Sequence, residues 1–165
     1  MIDPEQLLEL IKNRRSIRSF KDVMPSDKEI DMIIEAGRWT PSASNRQPWE
    51  FIVIKDEKII KEIAGTQSQG FSIEAPVHIA IVGKKQASPK WYEIDTSLAS
   101  MNMMLMAWSL QIGTCWIGAM NKKKAKHVLG LNDDDYLLTI LPFGYLKGSV
   151  PKGCRKAMKD IRKEM

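Results

Sequence analysis

The stretch Arg14-Arg15-Ser16-Ile17-Arg18 is a dense set of anion ligands, placed where a first helix is due to end. Three guanidiniums and a hydroxyl within five residues suffice to hold one phosphate bidentately and leave a cation for a second, more distant anionic group. The stretch reads as a socket for a phosphorylated ligand. By itself a cluster of this kind also fits a solvated basic turn, so its meaning depends on what surrounds it.

Upstream, Asp3-Pro4-Glu5-Gln6 combines an N-cap, a proline at the first helical position and a capping-box partner. Leu7, Leu8 and Ile11 then give one apolar face, predicting a helix to about Arg14. Downstream, Ser26-Asp27-Lys28-Glu29 is a second start signal, with Ile30, Ile33, Ile34 and Gly37 on one stripe and Pro41 disfavouring helix at Thr40. The basic stretch therefore lies between two helices. Next comes a polar segment bounded by Pro41 and Pro48 that empties into a predicted strand, Glu50–Ile54. Its Ser42, Ser44, Asn45 and Gln47 supply more donors and acceptors than a connection needs, and its prolines lower the entropy lost on fixing it. Ordinary turn chemistry accounts for such a run as well.

Asp56 is expected to cap a short helix through Ile60, Ile63 and Ala64, followed by a polar loop, Gly65–Gly70. Val77–Val82 reads as a central strand buried on both faces, with His78 a structural residue in preference to a metal ligand. Glu93–Ile112 is the longest helical segment, apolar nearly all round and so a core helix. Its Met101, Met103, Met104 and Met106 suit a core, a subunit interface or a ligand pocket alike. Asp95, Ser100, Asn102, Ser109 and Gln111 break the run below the roughly 20 apolar residues of a membrane span. After Gly113-Thr114-Cys115-Trp116-Ile117-Gly118, Asn121 caps a helix to Leu129, and Tyr136–Tyr145 is the last core strand, with Pro142 implying a strand end or edge.

At 165 residues the chain is expected to form one domain, 1–165. From Lys147 onward seven cations face two carboxylates, which accounts for the whole formal charge of +5. This basic tail, 147–165, has little apolar content and is expected to lie on another surface, that of a partner subunit. It lacks interleaved aromatics and no nucleic-acid module accompanies it, so nucleic acid is not expected as a partner. Cys115 and Cys154 make no metal-ligand spacing with His78 or His127, and Met1–Glu9 is acidic where a signal peptide would be basic and then apolar. A cytoplasmic protein without a metal is expected. Neither GxGxxG nor GxxxxGK[ST] occurs, so the phosphate is not handled by a Rossmann turn or a Walker loop.

Arg14-Arg15-Ser16-x-Arg18 after a first helix, Pro41-Ser42-x-x-Asn45-x-Gln47-Pro48-Trp49 into a strand, a long helix into Gly113–Gly118, and Gly144-Tyr145 before a basic tail with Arg155 occur in that order. Together they resemble the nitroreductase family of FMN-dependent oxidoreductases in its short form. The resemblance implies an α+β fold, three-layer α/β/α with a mostly antiparallel central sheet, and a homodimer with FMN at the subunit interface. It implies that Arg14 and Ser16 take the FMN phosphate with Arg155, that Arg15 lies beside the phosphate and ribityl chain, and that Arg18 faces the N1/O2 edge. Pro41, Ser42 and Asn45, with Gln47 nearby, would reach the flavin from the other subunit, and the Trp116-Ile117-Gly118 backbone would lie near N5. Larger members often carry an acidic residue where Ile117 stands, and an insertion between core helices that this chain lacks.

The activity so implied is reduction of nitroaromatics, quinones or similar acceptors by NAD(P)H in a ping-pong sequence, with no catalytic acid, base or nucleophile required of the protein. Another flavin reaction on the same scaffold, such as dehalogenation or a biosynthetic oxidation, and flavin storage without turnover are the competing expectations.

Overall fold

The structure, a computed structural model, describes residues 3–150 and 152–165; Met1 and Ile2 of the acidic opening and Pro151 of the tail lie outside the described residues. Local signals set the helices. In α1 (Pro4–Asn13) the Asp3 carboxylate accepts from the Glu5 N–H at 3.0 Å. A complete capping box between Ser26 and Glu29 opens α2 (Asp27–Arg38), and Glu29 also accepts from the Tyr145 hydroxyl at 2.9 Å, fastening the helix to the end of the sheet. Asp56 caps α3 (Glu57–Ala64), α4 spans Tyr92–Ser109, and Asn121 caps α5 (Lys122–Val128).

Strands β1 (Trp49–Ile54), β2 (Val77–Lys84), β3 (Ile112–Thr114) and β4 (Asp135–Tyr145) make one sheet in the order β1-β2-β4-β3, all neighbours antiparallel. Alternation along the inner strands divides the core. Val77, Ile79, Ile81, Leu141 and Phe143 pack on α2 and α4 through Ile30, Ile33, Met103 and Ala107. Ala80, Val82, Leu137 and Ile140 pack on α3 and α5 through Ile60, Ile63 and Ala125. The result is the expected α/β/α sandwich, with β2 buried on both faces because it runs between two covered strands.

Three expectations are corrected. First, α4 stops at Ser109 and not at Ile112: Gln111 takes φ +61°, and Ile112–Thr114 leave the helix as the edge strand β3. Second, α4 buries only one side. Small Ala99, Ser100 and Ala107 with Met103 and Met104 meet the core, while Ile94, Leu98 and Met101 are 51%, 47% and 38% exposed. Third, Pro142 sits inside β4, opposite His78. β3 pairs only with residues 143–145, so position 142 lies just past the end of that ladder and its missing N–H is not called for there.

Candidate active site

The basic stretch is laid along the β3 edge. Ser16 bridges Thr114 in parallel, the Ile17 N–H donates to the Thr114 carbonyl at 3.0 Å, and farther on the Lys21 N–H donates to the Tyr145 carbonyl at 2.9 Å. The buried side chains of Ile17 and Phe20 anchor it. Gly113 permits this seat: a Cβ there would stand 2.7 Å from the Cβ of Ile17, inside contact distance. Alternation along an extended segment turns Ile17 inward and leaves Ser16 and Arg18 more open.

The cations converge. The guanidinium of Arg14 is half-buried, and its Nη1 has no hydrogen-bond partner. Desolvation first, then repulsion from Arg155 and Arg15, hold its pKa below the ordinary value, with the Cys115 thiol acting in the opposite direction. Arg15 donates to the carbonyls of Lys12 and Arg14 at 2.5 and 2.9 Å, and Gly153 of the tail lies against it, where a Cβ would come within 2.9 Å of the guanidinium. The tail therefore returns to its own chain at Gly153 before its exposed end. The hydroxyl of Thr114, beside Ser16, is a second buried group without a partner. The unpartnered Nη1 of Arg14 and hydroxyl of Thr114, with Arg155 and Arg15 adding positive charge beside them, fit a phosphate dianion.

On the other side of Ser16, Arg18 lies 5.9 Å from the centroid of the Phe71 ring and shares a cleft of about 130 Å³ with Trp116, Ile117 and Gly118. The Thr139 hydroxyl donates to the Ile117 carbonyl at 2.9 Å, which fixes that peptide. Among the described residues, the N–H groups of Trp116, Ile117 and Gly118 donate to no backbone carbonyl; Trp116 and Gly118 are exposed, while Ile117 is buried. Ser68 and Gln69 line the same cleft. In the sequence they fall within the polar loop Gly65–Gly70, to which no role is assigned. The one available signal was the density of Ser and Gln between Gly65 and Gly70. The loop is joined to the cleft by Ser68, whose N–H and hydroxyl donate to the Ala119 carbonyl at 3.2 and 3.3 Å.

The Pro41–Gln47 segment is elsewhere. It enters β1, the edge strand three positions from β3, and it does so at the opposite end of the ladder, because Trp49 is level with Gly83 while Thr114 is level with Phe143 and Val77. At about 4.8 Å between strands and about 3.4 Å per residue, that is about 14 Å across and about 20 Å along the sheet. Ser42 and Asn45 thus stand at the corner diagonal to Ser16. Within the segment, Ser42 Oγ accepts from the Gln47 N–H at 2.9 Å, and the Gln47 amide donates to the Asn45 carbonyl and side-chain oxygens, both at 3.3 Å. Gln47 is thus engaged in shaping the loop.

A basic cradle at one corner, a shaped polar loop at the other and a one-sided α4 accord with what the chain is similar to. The family model for the nitroreductase family matches residues 11–78 and 65–145. A protein of Archaeoglobus fulgidus, provisionally named NADH dehydrogenase/NAD(P)H nitroreductase, is 32% identical over 151 residues, covering 87% of each chain. The FMN reductase (NADPH) of Bacillus subtilis is 27% identical over 162 residues, covering 86% of this chain and 64% of that one. Among solved structures, a provisionally named nitroreductase from Desulfovibrio desulfuricans in complex with FMN superimposes with a TM-score of 0.89 at 27% identity, covering 99% of this chain and 98% of that one. From its helix order, its antiparallel sheet and these matches along most of its length, the chain belongs to the nitroreductase family.

Proposed function

We propose that this protein is an FMN-dependent oxidoreductase that uses NAD(P)H to reduce nitroaromatics, quinones or similar acceptors, and that it works as a homodimer. The observation that carries the reading is the half-buried Arg14, its Nη1 unpartnered, pressed by Arg155 and Arg15 beside Ser16. Those four residues would hold the phosphate, Arg15 also flanking the ribityl chain. Arg18 would stand at the N1/O2 edge, and the backbone of Trp116, Ile117 and Gly118, whose N–H groups have no backbone acceptor among the described residues, would line the ring near N5. When bound, FMN supplies the redox chemistry, taking hydride from NAD(P)H and passing electrons to the acceptor. The protein's part is to bind, orient and set the local charge.

Pro41, Ser42, Asn45 and Gln47 join the site only if a second copy brings them. One chain holds that loop and the basic stretch at diagonal corners of the sheet. The surface supports such a copy. None of the apolar residues of α1 is buried, and Leu7, Leu8 and Ile11 lie exposed on a helix that packs beside α4, whose Ile94, Leu98 and Met101 are exposed too. An apolar band of this kind marks a protein interface.

The test is spectroscopic. The purified protein should be yellow, release FMN on denaturation, bleach under anaerobic NADH or NADPH and regain colour with an added quinone. Bound FMN that neither nicotinamide bleaches would favour flavin storage, and a colourless protein that leaves the fluorescence of added FMN unquenched would sink the reading.

A further inference from the structure

We propose that Asp95 and Asn102 of α4 are positioning residues for the Pro41–Gln47 loop, and through it for the flavin contacts that loop makes in a second copy of the chain. The inference rests on the function proposed above and adds two residues to it. It begins with strain. Ser44, Asn45 and Gln47 have φ of 53°, 53° and 48°, the left-handed region that side-chain-bearing residues avoid. A loop with three such residues among four holds its shape only if its surroundings impose it.

Helix α4 supplies the constraint at two points. Asp95 Oδ1 accepts from the Ala43 N–H at 3.3 Å, and the Asn102 amide donates to Thr40 Oγ1 at 2.8 Å. Thr40 is buried and in turn donates to the Ala36 carbonyl at 3.4 Å. Residues 95 and 102 are seven apart, two turns along one face, so a rigid helix grips the loop at its entry and at its bend. Packing does not explain the carboxylate. Asp95 is 4% exposed, and its Oδ2 is buried without a partner. A core helix avoids that cost by placing an apolar residue there. The carboxylate is accounted for if its work is to hold the Ala43 amide, and with it Ser42 and Asn45.

Three variants of the full chain test this: Asp95→Leu, which removes the acceptor, Asp95→Asn, which retains one, and Asn102→Leu. Each is measured for FMN dissociation constant by flavin fluorescence, for hydrogen exchange of the Ala43 amide, and for apoprotein melting temperature. Asp95→Leu is expected to weaken FMN about tenfold or more and to lose Ala43 protection. Its melting temperature should be unchanged or higher, and Asp95→Asn should recover most of both losses. Unchanged FMN affinity in Asp95→Leu overturns the proposal, as does an affinity loss that follows the melting temperature without recovery in Asp95→Asn. If Asp95→Leu does not fold, Asn102→Leu at its half-buried position gives the same readings. If the unsubstituted protein does not bind FMN, the flavin reading fails, and Ala43 exchange in the apoprotein still decides whether Asp95 holds the loop.

Discussion

Replacing Arg14 should separate stability from cofactor affinity. Arg14→Met keeps an unbranched stem to fill the half-buried channel and removes the charge. In the apoprotein, Arg14 suffers desolvation and repulsion from Arg155 and Arg15 with no hydrogen bond at Nη1 in return. Water screens half-exposed guanidiniums, so relief of that repulsion contributes no more than about 1 kcal/mol, with a stabilising sign. With a phosphate present the same group makes a charge-assisted hydrogen bond of about 1.5–3 kcal/mol, and its loss weakens binding about 10- to 150-fold. The assay is a fluorescence titration of apoprotein with FMN and, in parallel, with riboflavin, which lacks the phosphate, beside a urea melt of the apoprotein. Arg14→Met should bind FMN more weakly by that factor, bind riboflavin as before, and melt no earlier. Equal weakening for both flavins would refute the placement of the phosphate, and a marked loss of apoprotein stability would refute the view that Arg14 is retained at a cost to the fold.

Three further outcomes follow from particular residues. Arg18→Ala should lower the midpoint potential of bound FMN by tens of millivolts at most, since about 4 kcal/mol from a cation about 4 Å away at an effective dielectric of about 20 is reduced by the exposure of this side chain; an unchanged or higher potential with FMN bound removes Arg18 from the ring edge. If the chain pairs as proposed, Leu98→Glu, on the exposed apolar side of α4, should sediment as a monomer and shed FMN at the same time, and a monomer that keeps FMN would contradict a shared site. Burial holds the His78 imidazole at about 4, below its ordinary 6.5. A base with a lowered folded pKa contributes fully above about pH 6.5 and loses that contribution as pH falls toward 4. At about 1.4 kcal/mol per pH unit the loss is about 3 kcal/mol. Urea midpoints at pH 7 and 4.5 should diverge less in His78→Leu than in the parent, and equal divergence would refute the assignment.

Much of this architecture is legible in local chemistry. Asp3, Ser26, Asp56 and Asn121 each announce a helix start because a side-chain oxygen next to free N–H groups is a local device. The β-branched run at Val77 announces a doubly covered strand for the same kind of reason. The rest depends on distant partners. The end of α4 is illegible because Leu110, Gln111 and Ile112 are compatible with helix and the turn is made at Gln111, which carries no glycine signal. A three-residue strand such as β3 has no periodicity to detect; only its pairing with β4 defines it. The apolar circumference of α4 reads as core, yet Ile94, Leu98 and Met101 on one side of it are exposed. Of the candidate site, the residues that would touch phosphate stand out in sequence because they are charged and clustered. Ser68, Gln69 and Asp95 do not, since their roles come from what the fold brings beside them.

The geometry also links cofactor and assembly. If one flavin must touch the cradle at Ser16 and the loop at Ser42, and one chain seats these on β3 and β1, with Thr114 and Trp49 about 14 Å apart across the sheet and about 20 Å along it, the ligand is bound in full only by the dimer. Two-fold symmetry then generates two equivalent sites, each built from opposite corners of the two sheets. Binding and association become linked equilibria, and the factor by which FMN tightens the dimer must equal the factor by which dimerisation tightens FMN. The strain in residues 44–47 gains a rationale in these terms. A loop already held in its binding shape by α4 gives up little entropy when the second copy docks, so more of the interface energy is left to hold flavin and subunits together.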